Sequence, residues 1–98
     1  MKIKITTTKD VASIASSISQ IPIEELRSQT RRSSVVAVRD ICFKICKEQL
    51  NMVQDDIARY FSKNRSSIAH ALNRVDFNLS QRPEYQKLHD AILNKLNL

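Results

Sequence analysis

A chain of 98 residues, 42% hydrophobic and 27% charged, has the balance of a globular domain with room for one modest core. It contains no glycine, which excludes a P-loop, a dinucleotide-binding fingerprint and a nucleophile elbow, because each needs glycine where backbone meets phosphate or turns through positive φ. The net charge of +6 points to an anionic partner, nucleic acid ahead of an acidic membrane surface.

Residues 1–7, "MKIKITT", read as an N-terminal arm or tail, and residues 8–98 as one domain. In "TKDVASIASSIS", Val11, Ile14, Ala15 and Ile18 recur at helical spacing, with Thr8 as the expected N-cap and Asp10 in the first turn. Pro22 suits the first position of a short helix ending near Arg27, with Glu24 and Glu25 at its positive end. The stretch "SQTRRSS" is polar, basic and turn-like. The spacing then predicts the longest helix, from about Ser34 to Leu50. Its stripe of Val35, Val38, Cys42, Ile45 and Gln49 is broadened by Val36, Ile41 and Phe43, as befits a central helix packed on several neighbours. Cys42 and Cys46 lie four apart in this run. Sharing one helix face, they read as reduced core residues rather than a disulfide or a metal site.

A helix over about Gln54 to Phe61 carries Ile57, Ala58 and Phe61, with Asp55 and Asp56 in its first turn. After a corner at Ser62 and Lys63, "NRSSIAHALNRVDF" offers Asn64 as N-cap and Ile68, Ala71, Leu72 and Val75 as the buried face. "NLSQRP" reads as a loop, and "PEYQKLHDAILNKLNL" closes the chain with Tyr85, Leu88, Ile92 and Leu96. The sum is an all-α fold, a compact bundle of about six helices containing a helix-turn-helix.

Charge is unevenly placed. Between Arg59 and Val75 stand Arg59, Lys63, Arg65 and Arg74 with no acid, and residues 27–39 add Arg27, Arg31, Arg32 and Arg39, again with none. With Ile68, Ala71, Leu72 and Val75 inward, Arg65, Ser66, Ala69 and Asn73 fall on the other side. Small polar residues with one arginine at a helix N-terminus suit a major-groove reader, since arginine pairs bidentately with guanine. The plainer alternatives are a solvated basic face and first-turn serines that satisfy local backbone.

Several motifs in order resemble the C-terminal DNA-binding domain (domain IV) of the bacterial replication initiator DnaA, a Trp-repressor-like helix-turn-helix. "IPIEELRSQTRR" corresponds to its short helix and basic loop, "VVAVRD" to I-V-x-A-R-Q, and "CKEQL" to the helix end. "IARYF" and "SKNRSSIAHA" follow as the I-G-x-x-F helix and a shortened G-G-R-D-H-S-T-V-x-H-A signature. The resemblance covers roughly residues 8–97. It implies sequence-specific binding of double-stranded DNA, with Arg31 in the minor groove and Asn64, Arg65, Ser66 and Ser67 facing bases and backbone in the major groove. Arg32, Arg39, Lys47, Lys63 and Arg74 would hold phosphates. His70 and Ala71 keep the family's H-A pair, with His70 expected as a partly buried packing residue.

Departures from the pattern imply a different base code. Asn64 and Arg65 replace aspartate and histidine, so adenine and guanine are the expected readings. Both signature glycines and one residue of the corner are missing, so the corner closes with Ser62 and Lys63 or with Asn64 at positive φ. Without an ATPase module the chain is expected to be a DNA-binding domain alone, either a fragment or a small phage- or plasmid-type regulator of replication or transcription. No cofactor, small-molecule substrate, membrane partner or enzymatic activity is expected, and the location is the cytoplasm of a bacterial or phage-infected cell, on the nucleoid. Self-association or a further protein partner is compatible with the surface. The competing function is a protein-interaction adaptor that uses the basic face on an acidic partner. RNA binding is weaker, because the five aromatics fall mostly at core-like spacing.

Overall fold

Thr7, one residue before the expected cap, starts the first helix. Its backbone is extended (φ −115°, ψ 170°), its hydroxyl accepts from the Asp10 N–H, and the Asp10 carboxylate accepts from the Thr7 N–H at 2.9 Å. This reciprocal capping box satisfies two otherwise orphaned donors. In the computed structural model, which describes residues 6–96, six helices follow and no strand occurs among the described residues. They are α1 (Thr8–Ser19), α2 (Ile23–Leu26), α3 (Ser33–Glu48), α4 (Gln54–Phe61), α5 (Arg65–Gln81) and α6 (Pro83–Leu96). Most of the expected arm, residues 1–5, lies outside the described residues.

The apolar circumference of α3 does what its pattern implies: α3 packs against each of the other five helices. Val35, Ile41, Cys42, Ile45 and Cys46 have no exposure, and Val38 and Phe43 almost none. Phe43 meets Phe61 of α4 edge-to-face at 4.9 Å, which docks the helix-turn-helix onto the core. Both cysteines are buried and unpaired, as a small core hydrophobe would be. Gln49, placed in the stripe by spacing, is instead the exposed C-cap of α3.

One segment departs more clearly from expectation. "NLSQ" is helical, so α5 runs to Gln81 rather than ending near Phe77. Leu79, half-buried against the core, extends the Ile68–Ala71–Val75 stripe by one more turn. The helix stops at Arg82, whose extended backbone (φ −126°, ψ 111°) is what a residue before proline adopts, and Pro83 opens α6. With no glycine available, Gln20, Asn51 and Ser62 take the left-handed conformation after α1, α3 and α4.

Candidate nucleic-acid interface

The corner between α4 and α5 answers how a helix-turn-helix closes without glycine. Ser62 sits at φ 56°, ψ 42°. The Lys63 N–H donates to Ala58 O at 2.8 Å and the Ser62 N–H to Arg59 O at 3.3 Å, the two bonds of a Schellman ending. Positive φ therefore falls on Ser62 and not on Asn64, which is extended (φ −97°, ψ 167°). Asn64 caps α5 instead, its Oδ1 accepting from the Ser67 N–H at 2.8 Å. That leaves the Asn64 amide as a free donor at the exposed tip of α5.

The loop of residues 27–32 is bound to this corner by side chains from both sides. Lys63 Nζ donates to Ser28 O at 2.7 Å and to Gln29 Oε1 at 3.2 Å. Gln29 Nε2 returns a bond to Ser62 O at 3.0 Å. Arg27 Nε donates to Tyr60 O at 2.7 Å, with its guanidinium 4.6 Å from the centre of the Tyr60 ring. Beneath the loop, Arg39 donates from Nε to Leu26 O (2.8 Å), from Nη1 to Thr30 O (3.2 Å) and from Nη2 to Ser28 O (3.1 Å) and Glu25 O (3.3 Å). Glu25 O also accepts from the Ser28 N–H and hydroxyl and Ser28 O from Lys63, so it is the Leu26 and Thr30 carbonyls that Arg39 alone satisfies among the described residues.

Between this loop, α3 and α5 lies a concavity lined by Arg31, Lys63, Ser67, His70 and Arg74, a basic cleft beside the exposed face of α5. Arg31 is exposed at its rim. No carboxylate among the described residues lies within ion-pair distance of Arg31 or Lys47. Arg32 is exposed, pairs with Glu25, and occupies the N-cap of α3 without a side-chain cap bond. Arg65, Ser66 and Ser67 are exposed on the first turn of α5, with Arg65 Nε 4.0 Å from Asp55 Oδ1. Lys47 is exposed on the last turn of α3, about 12 Å farther along that helix than Arg39, at ~1.5 Å per residue. It does not line the cleft.

Two placements differ from those the sequence suggested. Arg39, expected on a phosphate, is only 6% exposed, and all three of its nitrogens are spent on carbonyls. Burial draws its guanidinium down from the ordinary value, partly offset by neighbouring Asp40. His70, expected to be partly buried, is exposed and lines the cleft, while Ala71 beside it is buried.

Sequence reasoning also passed over Asp40, which is 1% exposed. Its carboxylate accepts from Arg74 Nε at 2.7 Å and Nη2 at 3.0 Å. Burial pushes the Asp40 carboxyl up, Arg74 pulls against that, and the hydrogen bonds to Asp40 raise Arg74 in turn. The signal available was the acid immediately following the acid-free stretch 27–39.

Residues 8–75 match the family model described as bacterial dnaA protein helix-turn-helix. The chain is 33% identical over 55 residues to the chromosomal replication initiator protein DnaA of Mycoplasma pneumoniae, covering 56% of this chain and 12% of that protein. Its counterpart in Mycoplasma genitalium is 31% identical over 55 residues, covering 56% and 13%. That of Lachnoclostridium phytofermentans is 23% identical over 74 residues, covering 74% and 16%. The match therefore spans less than a fifth of the length of these relatives.

Proposed function

The chain belongs to the bacterial DnaA helix-turn-helix family, and from that premise we propose that it binds double-stranded DNA in a sequence-specific manner. The observation that carries the proposal is the tie between the 27–32 loop and the α4–α5 corner, which sets Arg31 and the first turn of α5 around one basic cleft. In this reading the N-terminal turn of α5 enters the major groove. Arg65 takes guanine, the Asn64 amide takes adenine, and Ser66, Ser67 and His70 fill the adjoining positions. Arg31 enters the neighbouring minor groove, where a narrow A·T-rich tract attracts a cation. Arg32, Lys47 and Lys63 hold phosphates, Arg74 lies along the cleft, and the uncapped N-terminus of α3 adds backbone donors next to Arg31. Arg39 acts from beneath, by shaping the loop. The names of the relatives favour a role in replication control over transcription.

The test is selection of bound duplexes from a random double-stranded pool, repeated with Arg65→Ala and Arg31→Ala. A consensus should emerge, and Arg65→Ala should relax one position by about 1–3 kcal/mol. With about three or four phosphates neutralised, log K should fall against log[salt] with a slope near −3, from about −0.9 per phosphate. Failure to enrich any sequence, with all binding lost at moderate salt, would leave the basic face to an acidic protein partner.

A further inference from the structure

We propose that Asp40 is a positioning residue for DNA recognition. Buried under the cleft, it holds the Arg74 guanidinium by one edge so that the opposite edge reads a base rather than neutralising a phosphate as a loose charge. The inference rests on the DNA-binding reading and extends it to a pair of residues that the nucleic-acid interface would otherwise count as a structural ion pair.

Three observations carry it. The pairing is side-on: Asp40 takes Nε and Nη2, so Nη1 and the second Nη2 hydrogen remain as a parallel fork pointing away from the carboxylate. The two partners differ in exposure, the Asp40 side chain being 2% exposed and that of Arg74 51%. A carboxylate that masked the arginine would lie over it, whereas this one lies under it. Finally, Arg74 stands seven residues beyond Ser67 and four beyond His70, so the three share one side of α5, and all three line the cleft with Arg31. An arginine held at one edge has lost most of its rotamer freedom before DNA arrives, so less is lost on binding.

The geometry makes an unintuitive demand on the protein. Removing a negative charge from a site for a polyanion should weaken specific binding, because the charge lost is less important than the order lost. The measurement is fluorescence anisotropy with two labelled duplexes, the one enriched from the random pool and a shuffled duplex of the same composition. Asp40→Asn should lose about 5- to 100-fold affinity for the enriched duplex while its affinity for the shuffled one stays within about twofold. Arg74→Lys keeps the charge but cannot span Asp40 and a base. It should lose the same preference with an unchanged salt slope. Thermal unfolding reports whether Asp40→Asn remains folded, and the exposed Arg74→Lys decides the matter if it does not.

Two results would overturn the inference. One is a folded Asp40→Asn that binds the enriched duplex as tightly as the parent or more tightly. The other is Arg74→Lys binding both duplexes like the parent. A parent protein that enriches no duplex at all is a separate result, and it removes the DNA-binding reading together with this extension of it.

Discussion

Arg39→Ala separates two roles for one arginine. Two carbonyl oxygens, of Leu26 and Thr30, have this side chain as their sole donor among the described residues, those of Glu25 and Ser28 share it with other donors, and the residue is 6% exposed. At roughly 1 kcal/mol for each acceptor left without its donor, the substitution is expected to cost about 2 kcal/mol. For a domain of this size that is a fall in Tm of at least ~8 °C. Arg39→Lys, able to reach one or two of the carbonyls, should fall between. Circular dichroism melts give the stability, and anisotropy titrations at several salt concentrations, below the melting range, give the binding. The loop role predicts a large Tm loss together with a loss of whatever Arg31 contributes. Arg31→Ala should then cost less in the Arg39→Ala background than in the parent. A phosphate role predicts the reverse: an unchanged Tm, and a salt slope smaller by about 0.9. That second pattern would refute the reasoning.

Ser62→Gly should raise stability by about 1 kcal/mol, since glycine occupies the left-handed corner without the Cβ penalty, and it should leave DNA affinity unchanged. A lower Tm would mean the serine side chain contributes something beyond the backbone geometry. Asn64→Asp keeps the oxygen that caps α5 but loses the amide donor, so Tm should hold while the selected consensus moves at one position from adenine towards cytosine. An unmoved consensus would confine Asn64 to capping. Burial pushes the Cys46 thiol up to about 12, and Cys42 is pushed up as well, so neither supplies thiolate in the folded protein near neutral pH. Labelling by a thiol reagent should therefore track global unfolding across a denaturant series, and rapid labelling of the native protein would contradict the packing described.

Helix identity is legible wherever an apolar stripe stands between clear breaks in the pattern. Gln54–Phe61 could be read to the residue, because Ile57, Ala58 and Phe61 fix its inner face and no competing signal intervenes. The end of α5 was misread because Asn78, Ser80 and the coming Pro83 are loop-favouring residues, and tertiary packing of Leu79 outweighed their weak propensities. At the site, the exposed first turn of α5 followed from the burial of Ile68, Ala71 and Val75. What spacing could not give was the destination of each cation. Arg39 and Arg74 look alike in the sequence, yet one is turned inward onto a loop and the other is held by a buried acid 34 positions away. Long-range pairing of this kind has no local signature. His70 does not share the burial of its neighbour Ala71, because one step along a helix turns a side chain by about 100°.

On the proposed reading, the bonds from Gln29 to Ser62, Lys63 to Ser28 and Arg27 to Tyr60 have a consequence for the DNA as well as for the protein. They make the Arg31 loop and the tip of α5 the two jaws of a caliper whose opening is fixed before binding. A caliper measures spacing. One base pair inserted between the stretch read in the minor groove and that read in the major groove shifts the second by about 3.4 Å and turns it by roughly 35° about the duplex axis. A loosely tethered arm could follow such a shift, and this one could not. On the proposed reading, the distance between the two half-messages should therefore be as invariant in bound sites as the bases themselves.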